Sequence, residues 1–396
     1  MAMFNLRRFS NPDVLKTIDR EHLLALLAPH EEYLSRRGVL LPPLHAANGI
    51  DYEGLAGVFM SPEADTPRDL ANALYLVHEM ATPGGMNDLL VEAESRGITF
   101  KGREATPADV AVQAWLQCPE VLETKHAEQR GLRRRSFEYY QTDRSPVPPF
   151  DEPSREALND LEQDLDNWFE QKQRGRGSKV IVHSHNDEVW FFVRHGDPFK
   201  REGCLEDGRS SSVFYRPEKH DLLIYDPALG EIRINARTKA ERDIYRRKFG
   251  HHIFGDEAFF PGEGKYSLRP LIRDGEASMV CTDVEGMEWV KLKEVHYYWA
   301  GPMHEVEIRK ADDMFAALAM HRRVIPPQAR IMAATFQVKF ADSRSARIVT
   351  IKPSNIAQYT RDDDSAIIED WLDKRGFIDA EGVYGNVEAP ALVAVS

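Results

Sequence analysis

Three closely spaced polar residues in the middle of the chain could hold a metal ion. His183, His185 and Asp187 lie within the string His-Ser-His-Asn-Asp-Glu. Imidazole nitrogens and a carboxylate are ligands that zinc and related transition metals accept. His183, His185 and Asp187 are therefore candidate metal ligands. The competing interpretation is a hairpin turn at Asn186-Asp187 that carries two histidines on the same face.

The same string resembles the start of two known metal sites. Its H-x-H-x-D pattern is similar to the metal-binding string of the metallo-β-lactamases, although Glu188 stands where that family has another histidine. It also resembles the H-S-H-P string of the JAMM metalloproteases, with Asn186 in place of the proline. Both resemblances imply a bound metal ion.

A second set of candidate residues lies on a predicted hairpin that is followed by a helix. Asp221, Asp226 and Glu231 are acidic, and Arg237 follows the second strand. Two carboxylates can hold a divalent metal, and a neighbouring cation can orient the attacking water. An ordinary hairpin with a polar face is the alternative.

This arrangement is similar to the core of the PD-(D/E)xK nucleases. Asp221 matches the first acidic position, Asn235 stands where that family has its second carboxylate, and Arg237 replaces its lysine. Asparagine lacks the charge, and arginine is too basic to accept a proton. The resemblance therefore implies a degenerate core retained for binding. If Asp226 or Glu231 supplies the missing carboxylate, it implies a nuclease that depends on Mg²⁺ or Mn²⁺.

Basic residues before and after a proline-rich segment could contact nucleic acid. The candidates are Arg130, Arg133, Arg134, Arg135, Arg174, Arg176 and Lys179. The aromatic residues Phe137, Tyr139 and Tyr140 follow the first group. Cations bind phosphates and aromatic rings stack on bases, so this mixture favours nucleic-acid binding. The alternative is a solvated helix end that pairs with acidic surface.

The elements that would position these residues predict an α+β protein. Residues 1–145 are predicted to be a helical domain, with helix starts at Thr66-Pro67 and Thr106-Pro107. Residues 146–177 form a linker and a connecting helix. From Ser178 the apolar period changes to two, which predicts a mostly antiparallel domain over 178–351. Residues 352–396 are predicted to be a small helical element and a tail.

Composition restricts the possible classes. The 396 residues carry a formal net charge of −13, so any binding of nucleic acid needs a local basic surface. Cys118, Cys204 and Cys281 are too few and too widely spaced for a disulfide framework, and they fit a reducing compartment. No apolar run is long enough to span a bilayer. We expect a soluble protein of the cytoplasm that does not associate with membranes.

The preferred functional hypothesis is a non-enzymatic, nucleic-acid-associated binding or regulatory subunit of a larger assembly. The alternative is a metal-dependent nuclease or phosphodiesterase that uses the Asp221 hairpin, or the histidines near residue 183. A third possibility is an interaction scaffold that binds a protein partner or a second copy of the chain. No Walker loop, dinucleotide-binding glycine motif or nucleophile elbow occurs in the sequence.

Overall fold

The computed structural model describes residues 6, 8–44, 49–63, 65–101, 105–132, 134–185, 187–206, 208–261, 264–300, 302–353, 355–360 and 365–378. The chain divides into two compact units, Met1–Gly131 and Leu132–Ser396. The first is helical and the second is built on a large, mostly antiparallel sheet, so the predicted α+β class is confirmed. Within the described residues, none of the helices combines the length and apolar character needed to cross a bilayer.

The first unit consists of short helices around an apolar core. They are α1 (Pro12–Leu15), α2 (Arg20–Leu27), α3 (Glu31–Arg36), α4 (Tyr52–Met60), α5 (Arg68–Met80), α6 (Pro83–Ser95), α7 (Pro107–Gln117) and α8 (Pro119–Leu132). The predicted start at Thr106-Pro107 is confirmed, because the Thr106 hydroxyl accepts from the backbone N–H of Asp109. Thr66 does not cap α5. Its hydroxyl instead bonds Tyr33 and accepts from the N–H of Glu63.

The second unit contains five α-helices and twelve strands among its described residues. The helices are α9 (Arg155–Gln171), α10 (Lys239–Phe254), α11 (Pro270–Arg273), α12 (Met314–Met320) and α13 (Ser365–Lys374). The strands are β1 (Ser136–Gln141), β2 (Lys179–His185), β3 (Glu188–Gly196), β4 (Lys200–Glu206), β5 (Arg209–Tyr215), β6 (Glu218–Asp226), β7 (Glu231–Asn235), β8 (Met287–Trp299), β9 (Glu305–Lys310), β10 (Arg330–Phe340), β11 (Arg347–Lys352) and β12 (Ile356–Gln358).

Ten of these strands form one sheet, and the other two form a separate ribbon. The order in the sheet is β2-β3-β6-β7-β1-β12-β11-β10-β8-β9, and its neighbouring strands pair antiparallel. Strands β4 and β5 pair only with each other. They leave the sheet after β3 and return to it at β6.

Helices cover opposite faces of the two halves of the sheet. Ile232 and its cross-strand neighbour Tyr140 share an apolar core with α9 and α10. Phe137 points to the other face, because side chains alternate along a strand. The strand pairs from β1 through β12 and β11 to β10 place Phe336 on the same face as Phe137. The ring centres of Phe336 and of Trp371 on α13 are 5.2 Å apart, so α13 covers this face.

Two predicted boundaries need correction. Residues 136–141 belong to the sheet and not to the helical domain, because this strand is buried on both faces between β7 and β12. Such burial removes the period-two alternation of polar residues that marks a strand at a surface. Residues 355–378 are also part of the second unit, since β12 extends its sheet and α13 packs on it. The tail beyond Ile378 lies outside the described residues.

Two local predictions from the sequence, a helix that ends at Gly250 and a strand that begins at Ser278, are wrong. Helix α10 continues to Phe254 and ends at Gly255, whose φ is 72°. A Cβ at Gly250 would lie 2.6 Å from the carbonyl oxygen of Asp256, so a close approach of the backbone requires glycine there. Ser278 lies in a 3₁₀ turn, in which its hydroxyl donates to the carbonyl of Gly275. Strand β4 lies outside the strands that the sequence predicts.

Candidate functional site

Among the described residues, one group of three potential metal ligands lies close together. It consists of His195 on β3, Asp221 on β6 and Glu241 on α10, and their ligating atoms all lie within 4.8 Å of one another. All three residues are buried. This group is the candidate functional site, and we refer to it as the His195 cluster.

The strands and the helix each fix one member of the His195 cluster. Asp221 pairs with Val193 across β3 and β6, so it shares a face with His195, two residues further along β3. Glu241 is the third residue of α10, and it forms a capping box with Thr238. The Thr238 hydroxyl accepts from the N–H of Glu241, and the Thr238 N–H donates to Glu241 Oε2 at 2.5 Å.

Glu241 forms a buried ion pair with Arg174. Arg174, just after α9, donates from Nη1 to Glu241 Oε1, and both side chains are largely withdrawn from solvent. Burial by itself would raise the pKa of Glu241. The hydrogen bonds from Arg174 and Thr238 outweigh it and hold that pKa below its usual value. Glu241 is therefore an ionised carboxylate whose two oxygens already have donors.

His195 lies between two oxygen acceptors. Its Nδ1 is 2.8 Å from the carbonyl oxygen of Gly196, and its Nε2 is 3.1 Å from Asp221 Oδ2. The ring of Phe169 stacks on the imidazole at 4.1 Å. A Cβ on Gly196 would lie 2.4 Å from the carbonyl oxygen of Arg174, so only glycine fits there. The packing thus holds the imidazole in one orientation.

Each ring nitrogen of His195 faces an oxygen atom. A neutral imidazole has one N–H and can donate to only one of these two oxygens. A shared proton or a metal ion at Nε2 would satisfy the other contact. Buried polar groups of this kind need partners for all of their hydrogen-bonding atoms.

Tyr245 completes the network around Asp221. Its hydroxyl donates to Asp221 Oδ2 at 2.8 Å. Burial raises the pKa of Tyr245 well above its usual value, and the charge of Asp221 raises it further. The phenol therefore remains a hydrogen-bond donor at neutral pH. Together these contacts connect the end of α9, β3, β6 and α10.

A second buried polar group lies on the opposite face of the sheet. Glu231 on β7 accepts from Lys265 Nζ at 2.8 Å, and that ammonium lies 4.3 Å from the centre of the Tyr139 ring. Burial raises the pKa of Glu231 to about 7, although Lys265 opposes the shift. A carboxyl group with such a pKa can exchange a proton near neutral pH.

The structure separates the acidic residues of the predicted nuclease core. Asp226 pairs with Glu231, so these two share a face, whereas Asp221 is five residues before Asp226 and points to the other face. Asp226 accepts from the backbone N–H groups of Ala228 and Leu229 in the turn. Asp221 therefore cannot share one metal ion with Asp226 and Glu231.

The two residues that replace the nuclease motif's carboxylate and lysine also lie away from Asp221. Asn235 points to the face opposite Asp221, because it pairs with Leu222, the next residue along β6. Its amide donates to the carbonyl of Ser136 at 2.6 Å. Arg237 is exposed before α10. Neither residue joins the His195 cluster.

The candidate ligands near residue 183 lie around a hairpin on an edge strand. His183 is partly buried on β2 and pairs with Trp190, and Asp187 is exposed in the turn. The predicted strands on both sides of that turn are confirmed. The side chain of His185 and the whole of Asn186 lie outside the described residues.

Most of the predicted cation surface is engaged within the protein. Arg174 pairs with Glu241, Arg176 with Glu170 and Lys179 with Glu162. Arg134 donates to the carbonyl of His220. Arg130 and Arg135 are exposed, and Arg133 lies outside the described residues. The aromatic residues Phe137, Tyr139 and Tyr140 are buried, so they cannot stack on bases.

Sequence reasoning missed His195 and Glu241, although each carries a local signal. Glu241 follows Thr238 at the spacing of a capping box, which marks it as a residue with a fixed side chain. His195 is buried near the end of β3, after the buried apolar run at 189–193, and a buried polar side chain needs a partner. Neither signal names that partner, because the residues lie far apart in the sequence.

Comparison with protein-family models finds no match, and comparison with curated proteins finds none either.

Glu231 predicts a pH dependence of stability. Its pKa of about 7 in the folded protein exceeds its ordinary value of 4.5, so the folded state binds the extra proton. The stability that this proton contributes is fully present below pH 4.5 and is lost as the pH rises through about 7. As the pH rises across this range, we expect the free energy of unfolding of Glu231→Gln to increase by up to about 3 kcal/mol relative to that of wild type.

Urea denaturation at a series of pH values measures this difference. The exposed residue Glu218 supplies the control, and Glu218→Gln is expected to follow the wild-type curve. A difference between Glu231→Gln and wild type that is independent of pH would contradict the assignment.

The same substitution is expected to cost much more stability at Arg174 than at Arg176. Arg174→Met leaves the buried carboxylate of Glu241 without its cation, and we expect a loss of about 3–5 kcal/mol in the free energy of unfolding. Arg176→Met removes an exposed pair and is expected to cost less than about 1 kcal/mol. Tryptophan fluorescence during denaturation follows the second unit, because Trp115 is the only tryptophan outside it. Equal losses in the two variants would contradict this account.

Proposed function

We propose that the chain is a non-enzymatic, nucleic-acid-associated binding protein and that the β4–β5 ribbon is its binding surface. The ribbon combines exposed aromatic rings with cations, whereas the aromatic residues beside the basic group predicted from the sequence are buried. Its role within a larger assembly with protein partners, and its place in the cytoplasm, remain parts of the same proposal. The free cysteines Cys118, Cys204 and Cys281 support a reducing compartment.

The aromatic side chains of the ribbon are open to solvent. Phe214 on β5 is 66% exposed, and Phe199, just before β4, is 65% exposed. Leu205 near the tip is 81% exposed. Large apolar side chains on a two-stranded ribbon are costly in water unless something else covers them. This exposure is the observation that carries the proposal.

Cations lie directly beside the exposed rings. The guanidinium of Arg216 is 4.5 Å from the centre of the Phe199 ring, and that of Arg201 is 5.9 Å from the Phe214 ring. Arg201 and Phe214 are cross-strand partners, so they project from the same face. Lys200 and Arg209 are also exposed on the ribbon.

Stacking rings beside cations fit single-stranded nucleic acid better than duplex. Unpaired bases can stack on Phe199 and Phe214, while the guanidinium groups contact the phosphates. This contact does not depend on base sequence, since every base has a flat face. The ribbon also supplies the local cations that a chain with a net charge of −13 needs for such binding.

The proposed binding is tested by fluorescence anisotropy with labelled single-stranded DNA, single-stranded RNA and duplex DNA over a salt series. We expect salt-sensitive binding that favours the single strands. The double variant Phe199→Ala/Phe214→Ala removes two stacking rings and is expected to weaken binding at least about 10-fold. Arg201→Glu should also reduce the salt dependence.

Two controls separate the ribbon from general charge effects. Arg330→Glu reverses an exposed charge on β10 and is expected to have a small effect. Arg135→Glu tests whether the exposed part of the basic group before the proline-rich segment contributes to binding. The proposal fails if no labelled strand binds, or if the double alanine variant binds as tightly as wild type.

A metal-dependent phosphodiesterase is the second candidate, and the His195 cluster is the observation that favours it. A divalent ion such as Mg²⁺ or Mn²⁺ could bind Nε2 of His195 together with carboxylate oxygens of Asp221 and Glu241, because these ligating atoms lie within 4.8 Å of one another. His195 Nδ1 already faces a backbone carbonyl, as is usual for a metal-bound histidine. Against this candidate, Arg174 and Tyr245 already occupy carboxylate oxygens of the cluster.

Metal content and cleavage assays distinguish the two candidates. The preferred proposal predicts no stoichiometric divalent metal in purified protein and no cleavage of the labelled strands with added Mn²⁺. Stoichiometric metal, with Mn²⁺-dependent cleavage that Asp221→Asn abolishes, would instead establish the phosphodiesterase. Asp226→Asn is the matched control, because Asp226 lies on the opposite face of the same strand.

A further inference from the structure

The helical unit has a cavity that the proposed function does not use. It has a volume of about 710 Å³ and lies among α2, the segment 41–44 and α7. Apolar side chains, among them Leu24, Leu41 and Leu116, form much of its lining. Cavities of this size with a largely apolar lining and a few polar groups are typical of small-molecule sites.

A histidine held in one tautomer forms part of the cavity wall. His22 Nδ1 lies 2.8 Å from Asp109 Oδ1, so this nitrogen carries the proton and donates it to the carboxylate. The backbone N–H of Asp19 donates to Oδ1 as well, and the Gln113 amide donates to Oδ2 at 2.9 Å. Both oxygens of the buried Asp109 carboxylate therefore have donors, and a neutral His22 ring keeps its lone pair on Nε2.

The polar part of the lining favours a positively charged ligand. Glu21 and Glu31 are exposed carboxylates of the cavity wall, whereas Lys101 is its single cationic side chain among the described lining residues. Nε2 of the neutral His22 ring is a hydrogen-bond acceptor when Nδ1 donates to Asp109. An acceptor beside two carboxylates matches an ammonium group, which is a donor with three N–H bonds.

We propose that this cavity binds an organic ammonium compound with an apolar body. The ammonium group donates to Nε2 of His22 and is attracted by Glu21 and Glu31. The apolar body covers Ala25, Ala28 and Leu116. This site belongs to the helical unit and is independent of the ribbon in the other unit.

Three probes of similar shape and different charge test the proposal. They are 2-phenylethylammonium, 2-phenylethanol and 3-phenylpropanoate, each titrated into the full chain while the ring ¹⁵N resonances of His22 are followed. We expect the ammonium compound to bind at least about 10-fold more tightly than the alcohol, and the carboxylate to bind most weakly. The Nε2 resonance should move more than the Nδ1 resonance, because Nδ1 stays bonded to Asp109.

Two variants and a control show where the probe binds. His22→Gln is expected to weaken binding of 2-phenylethylammonium at least about 10-fold. Ala28→Trp fills the cavity from an exposed helix-end position, so it should abolish binding without loss of folding. His252→Gln is the matched control, because that histidine also bonds a carboxylate, Asp164, but lies in the other unit.

The proposal is overturned if the ammonium compound leaves the His22 resonances unchanged. It is also overturned if the alcohol or the carboxylate binds as tightly as the ammonium compound, or if a folded Ala28→Trp variant binds it like wild type. Failure here leaves the nucleic-acid measurements on the ribbon unaffected, since those depend on residues of the second unit.

Discussion

The buried charge of Glu241 is the constraint on which the sheet-containing unit depends most. An ionised carboxylate withdrawn from water requires a cation and hydrogen-bond donors, and Arg174 and Thr238 supply them. Because Arg174 follows α9 and Glu241 begins α10, the same contact holds two helices side by side on one face of the sheet. His195 and Asp221 extend the network to β3 and β6. The contacts thereby join α9, α10, β3 and β6 around one polar centre.

Alternation of side chains along β6 decides which chemistry this unit can support. Asp221 and Asp226 lie five positions apart in one strand, so their side chains face opposite sides of the sheet. On one side, Asp221 contacts His195 as part of the His195 cluster. On the other side, Asp226 bonds the turn, and Glu231 pairs with Lys265. The resemblance to a nuclease core thus holds for the order of strand, strand and helix, but not for a shared metal-binding carboxylate pair.

The sequence was sufficient to predict the elements whose signals are local. The hairpin around Asp187 and the helix start at Thr106 follow from turn and capping residues, and both are present. It was insufficient where a residue's role depends on distant partners. Arg174 looked like an exposed helix-end cation, yet its partner Glu241 follows much later in the chain. Strand β1 was missed for the same reason, since its neighbours β7 and β12 bury both of its faces.

The ribbon shows how the fold can expose apolar rings and still hold them in place. At its base, Arg216 donates to the carbonyl oxygens of Gln173 and Asp197, and the N–H of Asp197 donates to the carbonyl of Pro217. These bonds fix the two strand ends to the body of the unit. The same guanidinium lies over the Phe199 ring, so the anchor also orients an exposed aromatic side chain. A two-stranded ribbon is marginal by itself, and an anchored base lets it present Phe199 and Phe214 without further packing. The position of these rings is therefore set by polar contacts at the base, which leaves the exposed face of the ribbon available for binding.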